Sequence, residues 1–238
     1  MPRTPEDSRR WVDEGTALFA LSLQGRTDEQ LEDPTDLAGW TGRQLTAHVA
    51  ANAEALCNLV HWAATGEETP MYTSSEQRGR DIQEGARRPA GELRRWVTES
   101  ATTFAERFDA LTPHQQEHEV RTAQGRTVPA HEVTWMRSRE VMVHAVDLGG
   151  TVTFADLPAD FLVALVEDIV GKRSKGGEGP SLRLTATDAD LMTEINGTGD
   201  LTEVTGTLAD VAAYLAGRPG ADVACSSDRA LPELPAWL

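Results

Sequence analysis

The sequence predicts an α+β protein in which an N-terminal helical bundle precedes a small C-terminal α/β domain. Over residues 1–150, long segments carry apolar residues at helical spacing and are separated by turn-forming residues. Beyond residue 150 the pattern changes to short alternating segments, typical of strands, between two further helical segments. We therefore predict two domains, residues 1–150 and residues 151–238.

The first domain contains four principal predicted helices, which cover residues 5–25, 41–65, 89–112 and 130–148. Thr41 is a suitable N-cap for the second helix, and Gly66 a suitable residue to end it. A shorter helical segment is predicted over residues 75–86, and a loop over residues 122–129. Four principal helices with longer connections indicate an antiparallel bundle.

The second domain begins with a helix predicted over residues 158–170. A charged, glycine-rich stretch follows over residues 171–180 and is predicted to be a loop. Strands are predicted over residues 182–187, 191–195 and 204–206, and a last helix over residues 210–216.

The composition excludes several classes of function. With 22 basic against 38 acidic residues the formal charge is −16, which disfavours nucleic acids and anionic membrane surfaces as partners. No apolar run reaches the length of a membrane span, and the first residues do not look like a signal peptide. We therefore expect a cytoplasmic monomer or small homo-oligomer. The two cysteines, Cys57 and Cys225, are expected to be free thiols, with Cys57 buried and inert.

Three residues form a candidate metal site. Glu140 and His144 are four residues apart in a predicted helix, so their side chains share one face. His48 lies in a second predicted helix among small apolar residues. Two imidazoles and a carboxylate from two helices can bind a divalent metal and leave a position open for chemistry, as catalytic zinc sites do. From spacing alone, a surface pair or a buried core histidine remains an alternative.

Four segments resemble a known family. Residues 40–50, WTGRQLTAHVA, and residues 135–149, WMRSREVMVHAVDLG, are similar to the two metal motifs of the mycothiol-dependent members of the DinB superfamily. Residues 63–72 and 122–130 narrow the resemblance to the maleylpyruvate isomerases of that group. It runs from about Trp40 to Gly150, and more loosely to the terminal residues 235–238.

This resemblance implies a DinB-like four-helix bundle joined to a C-terminal domain related to sterol-carrier folds. It also implies that His48, Glu140 and His144 bind Zn²⁺ and that mycothiol is the cofactor. The implied reaction is the cis–trans isomerisation of maleylpyruvate to fumarylpyruvate in gentisate degradation. Reversible addition of a thiolate to the alkene would leave a single bond that can turn.

The resemblance also implies a catalytic arginine, Arg218, contributed by the C-terminal domain to the active site. Such a residue suits a substrate with two carboxylates, because guanidinium and carboxylate pair bidentately. The alternative is an arginine that only interacts with the end of its helix. Arg78, Arg80 and Arg139 are further candidates, as cofactor-binding residues, although each could lie on a solvated face.

The other aromatic and imidazole side chains are predicted to have structural roles. His61 is expected to be packed, whereas His114, His118 and His131 should be solvated. The tryptophans Trp40, Trp62, Trp96 and Trp135 are expected to lie in the core. Two alternative functions remain: a mycothiol S-transferase acting on another electrophile, and a non-catalytic zinc-binding regulator or ligand carrier.

Overall fold

The computed structural model describes residues 3–177, 179–226, 230–234 and 237. Within these residues the chain forms eight α-helices and two β-sheets, so the predicted α+β class is confirmed. The helices are α1 (Pro5–Gln24), α2 (Gly42–Thr65), α3 (Ser75–Ala86), α4 (Ala90–Asp109), α5 (Pro113–Gln116), α6 (Glu132–Asp147), α7 (Ala159–Gly176) and α8 (Leu208–Leu215). The strands are β1 (Glu119–Arg121), β2 (Thr127–Pro129), β3 (Pro180–Ala186), β4 (Met192–Ile195), β5 (Thr198–Gly206) and β6 (Ala224–Cys225).

The described residues divide into two compact units, residues 3–152 and residues 153–238. None of the helices in the described part of the chain is long and apolar enough to cross a membrane. Of the terminal motif at residues 235–238, only Trp237 lies within the described residues.

Helix α2 is the central helix of the first unit. Thr41 caps it as predicted, because its hydroxyl accepts from the Gln44 backbone while the Gln44 side chain accepts from the Thr41 backbone. Gly66, with φ of +79°, ends it in the left-handed conformation that glycine adopts without strain. Between these ends, α2 packs against α3, α4 and α6, which buries most of its length.

Helix α6 packs closely on α1. Gly15 of α1 allows this approach, since a Cβ atom there would lie 2.6 Å from Val141 Cγ2 and 2.9 Å from Met142 Cγ. The contact fixes α6 in the segment that carries Glu140 and His144. A short antiparallel hairpin of β1 and β2 precedes α6, so the prediction of a plain loop over residues 122–129 is wrong at its end.

The second unit contains a four-stranded sheet in the order β4–β3–β5–β6, with β3 and β5 parallel and the outer pairs antiparallel. The predicted loop over residues 171–180 is wrong for its first six residues, because α7 continues to Gly176. Arg173 stabilises this extension, since its Nη2 donates to the carbonyl of Leu215 at 3.1 Å. Strand β5 is longer than predicted because it pairs along most of β3.

Candidate metal centre

The three predicted ligands meet in the interior of the helical unit. His48 comes from α2, whereas Glu140 and His144 come from successive turns of the same face of α6. One ligand atom from each of the three residues lies within 4.8 Å of the others. Glu140 Oε2 is 2.9 Å from His48 Nε2 and 3.1 Å from His144 Nε2. The packing of α2 against α6 therefore creates a cluster whose parts are 92 residues apart in sequence.

The electrostatics of the cluster follow from its burial. Both histidines are almost inaccessible, at 5% exposure for His48 and 6% for His144, while Glu140 is partly buried. Burial lowers the pKa of His48 and outweighs the attraction of Glu140. Burial would raise the pKa of Glu140, but the neighbouring His48 and His144 bring it well below its ordinary value. The carboxylate is therefore charged and available as a ligand at neutral pH.

Asp147 orients His144. It is fully buried, and its Oδ2 lies 2.8 Å from His144 Nδ1. Burial alone would lower the pKa of His144, but the hydrogen bonds to Asp147 and Glu140 raise it to about 9. With Nδ1 donating to Asp147, Nε2 is the nitrogen left for a metal. The sequence analysis did not single out Asp147, although its position three residues after His144 could have indicated it.

Arg137 is a second functional candidate that sequence reasoning missed. Its side chain is 1% exposed, and its Nη1 donates to the Val49 carbonyl at 2.7 Å and to Asn52 Oδ1 at 3.0 Å. These bonds join α6 to α2 directly after His48. Burial lowers the pKa of Arg137 to about 10, which still leaves it charged at neutral pH. The sequence around Arg137 does not show whether its side chain is buried or lies on the surface.

A cavity of about 350 Å³ lies in the same unit, and Trp62, Tyr72 and Arg78 are among its lining residues. The positive charge of Arg78 contributes to the lowered pKa of His48. The negative charge of Glu140 contributes to the raised pKa of Tyr72. Burial raises the pKa of Tyr72 despite the opposing effect of Arg78, so its hydroxyl stays protonated.

The tryptophans divide into two pairs. Trp96 and Trp135 are buried, as predicted. Trp40 and Trp62 are only partly buried; Trp62 still packs against the core, whereas the core prediction is wrong for Trp40. Trp40 lies beside the candidate ligands, with its ring 5.6 Å from that of His48, and Trp62 faces the cavity. Apolar composition alone does not distinguish a core position from the wall of a site.

The four candidate arginines lie in different environments. Arg78 is half-buried in the cavity, whereas Arg80 is exposed and its Nη2 donates to Gln77 Oε1 at 2.9 Å. Arg139 lies near the ring of Trp135, 5.5 Å from its centroid. Arg218 follows α8 in the second unit, and its Nη1 donates to the Ala216 carbonyl at 2.7 Å. This last contact matches the alternative in which Arg218 interacts with the end of its helix.

The remaining histidines and the cysteines take no part in the cluster. His61 is exposed, so its predicted packing is wrong. His114 is exposed as predicted, while His118 and His131 are partly buried, the latter with Nδ1 3.3 Å from Glu117 Oε1. Cys57 is a buried free thiol, as predicted, and burial raises its pKa. A raised pKa makes a thiol a poor nucleophile.

Comparison with known proteins gives a consistent result. The family model described as the mycothiol maleylpyruvate isomerase N-terminal domain matches residues 2–149. Two solved structures of the mycothiol-dependent maleylpyruvate isomerase, one of them of a mutant, are each 40% identical to this chain. Each alignment covers 99% of this chain and 98% of the other, with a TM-score of 0.92. No curated protein matches the chain.

A further solved structure, YfiT from Bacillus subtilis, is described as a probable metal-dependent hydrolase with an unusual four-helix bundle topology. It is 20% identical over 62% of this chain and 90% of its own, and its TM-score of 0.49 indicates only a distant similarity. The two closer structures and the family model each cover more than half of the chain. The chain therefore belongs to the mycothiol-dependent maleylpyruvate isomerase family.

Proposed function

We propose that this protein is a mycothiol-dependent isomerase that converts maleylpyruvate to fumarylpyruvate. The observation that carries the proposal is the conjunction of two facts. The chain is 40% identical, over 99% of its length, to the mycothiol-dependent maleylpyruvate isomerase. It also holds a buried His–Glu–His cluster at the residues that its sequence motifs predict.

The cluster fits a zinc ion. Its donors are two imidazole nitrogens and one carboxylate oxygen, which is a common set for catalytic zinc with one position left open. Asp147 bonds the far nitrogen of His144, as carboxylates commonly do behind a zinc-bound histidine. His48, Glu140 and His144 would hold the metal. The same donors also suit other divalent ions, so zinc itself belongs to the proposal.

The chemical problem of the reaction is rotation about a carbon–carbon double bond. Bound together, zinc and mycothiol would supply a thiolate, whose reversible addition to the alkene makes that bond single and free to turn. The residues of the chain would exclude water from the site and orient the metal ligands. His48 and His144 are nearly sealed from solvent, which strengthens electrostatic interactions in the site, and Asp147 keeps the His144 ring in one orientation.

The substrate carries two carboxylates, and the negative charge displaced from the alkene collects on its ketone oxygen. We assign Arg218 to this charge, as a contribution of the C-terminal unit to the active site. Arg80 and Arg139 are weaker candidates for contacts with mycothiol. The reaction would belong to gentisate degradation in the cytoplasm.

The test is an activity measurement on the purified protein. Zinc-loaded protein is mixed with mycothiol and maleylpyruvate, and ultraviolet absorbance follows the conversion. Turnover that requires both mycothiol and the metal supports the proposal. Consumption of mycothiol with formation of a stable thioether would instead identify an S-transferase. Zinc binding without turnover of maleylpyruvate or other electrophiles would identify a regulator or carrier.

A further inference from the structure

Arg78 is a half-buried cation without an acidic partner. No ion pair of its guanidinium is present among residues 3–177, 179–226, 230–234 and 237, although the chain has 38 acidic residues. Three arginines of the same unit with similarly limited exposure do have such partners: Arg3 pairs with Glu132, Arg9 with Asp109 and Arg43 with Glu32. Glu68 also lines the cavity but pairs with Arg121, at 2.8 Å, so the Arg78 guanidinium is suited to an anionic ligand.

Tyr72 lies in the wall of the same cavity and interacts with Arg78. The segment that carries Tyr72 is tied to α2, because Asn58 Nδ2 donates to the carbonyls of Pro70 and Met71, each at 3.3 Å. The phenol is therefore held by a fixed backbone rather than by a free loop. A protonated phenol beside a guanidinium offers two kinds of hydrogen-bond donor to one small acceptor group.

The pair interacts electrostatically with the candidate metal centre. Helix α3, which carries Arg78, packs along α2, which carries His48. Arg78 acts electrostatically on His48, and Tyr72 on Glu140. A ligand in the cavity would therefore be within the electrostatic reach of the cluster.

We propose that Arg78 and Tyr72 together bind a carboxylate of the substrate, an assignment that rests on the proposed function. This replaces the prediction that Arg78 binds the cofactor. The chemistry of the two ligands decides between them: mycothiol carries hydroxyl, amide and thiol groups but no carboxylate, whereas maleylpyruvate carries two carboxylates. An unpaired guanidinium gains most from a carboxylate, which it can bind with two parallel hydrogen bonds.

The experiment measures steady-state kinetics of the zinc-loaded full-length protein, with each substrate varied in turn. Arg78→Met should raise KM for maleylpyruvate about thirtyfold, and Tyr72→Phe about fivefold, because each removes hydrogen bonds to a charged group. KM for mycothiol should stay within about twofold in both variants. Two matched controls are Arg95→Met, which removes an exposed cation from α4, and Tyr214→Phe, which removes a phenol that donates to the Pro232 carbonyl. Both should leave KM for maleylpyruvate unchanged.

An unchanged KM for maleylpyruvate in Arg78→Met and Tyr72→Phe would overturn the proposal. A rise in KM for mycothiol alone would also overturn it, because the pair would then hold the thiol cofactor. Zinc content and circular dichroism establish that each variant is folded. If Arg78→Met does not fold, Tyr72→Phe, which removes a single oxygen atom, decides the question.

A direct binding measurement separates this proposal from the proposed function. Maleate, a dicarboxylate without the ketone, is titrated calorimetrically into the zinc-loaded wild type and variants. If the wild type does not turn over maleylpyruvate, but binds maleate at least tenfold more tightly than Arg78→Met does, the carboxylate site stands and the proposed function fails. Equal binding by both proteins, or none by the wild type, overturns the site.

Discussion

The two units of this chain differ in what they bury. Most polar and charged side chains that are buried in the described residues lie in the helical unit, including His48, His144, Asp147 and Arg137. In the described part of the second unit, Arg173 is the one buried charged side chain, and it bonds a backbone carbonyl at a helix end. Apart from that bond and the one from the Tyr214 phenol to the Pro232 carbonyl, the described interior of the second unit is aliphatic and aromatic.

This difference indicates which unit carries the larger cost in stability from buried polar groups. A buried ionisable group is destabilising unless it is paired, and several such groups close together are typical of functional sites. The helical unit holds a carboxylate between two imidazoles, a second carboxylate behind one of them, and a guanidinium one turn away. The described interior of the second unit holds no comparable cluster. The following predictions test that contrast.

The largest effect is expected from His48→Ala. Removing one of three ligands should reduce bound zinc from about one ion per chain to almost none, and turnover should disappear with it. Zinc is measured by atomic absorption after dialysis, beside the isomerase assay. His61→Ala is the matched control, because His61 is exposed on the same helix and should keep both properties. Full activity of metal-free His48→Ala would exclude a metal-dependent mechanism.

Arg218→Ala should lower turnover about a hundredfold, because it removes a cation assigned to the developing charge in a water-poor site. Zinc content should not change, since all three ligands belong to the helical unit. Arg183→Ala is the control within the same unit; its guanidinium pairs with Glu194 and Glu203 on the exposed face of the sheet. Near-normal rates in a zinc-replete Arg218→Ala variant would mean that Arg218 has only a structural role at the end of its helix.

Asp147→Asn should weaken zinc binding about tenfold to a hundredfold without abolishing it. The amide keeps the size of the side chain but no longer provides a charge to hold the His144 ring. Competition with a chelator of known affinity measures the change. Asp13→Asn, at an exposed ion pair with Arg9, is the control. Equal zinc affinity in the Asp147 variant and the wild type would show that Asp147 has a purely structural role.

The smallest effect is expected from a change in the interior of the second unit. Arg173→Met should lower the free energy of unfolding by about 1 kcal/mol, because the Leu215 carbonyl loses its buried donor while the apolar stem is conserved. Chemical denaturation followed by circular dichroism measures it, with Arg183→Met as an exposed control. Zinc affinity should be unchanged. A loss of zinc in Arg173→Met would show that the contrast between the two units is false.

Local sequence patterns predicted much of the fold. The α+β class and the helices α1, α2, α4 and α6 follow from apolar spacing and capping residues, and the structure confirms them. The prediction was wrong where long-range contacts decide. Glycine-rich composition suggested a loop after residue 170, but Arg173 reaches Leu215 and α7 continues to Gly176. Strand β5 extends beyond its predicted range because its residues pair with those of β3.

For the site, the sequence by itself determined the pair of Glu140 and His144, because helical periodicity alone puts residues four apart on one face. His48 in a second predicted helix completed a candidate metal site, with a surface pair or a core histidine as the alternative, and the family resemblance favoured the metal site. Only the tertiary structure decided that these side chains meet, that Asp147 supports His144 and that the Trp40 ring lies beside that of His48. The physical reason is range: helix propensity and capping act within a few residues, whereas a contact across 92 residues depends on how two helices pack.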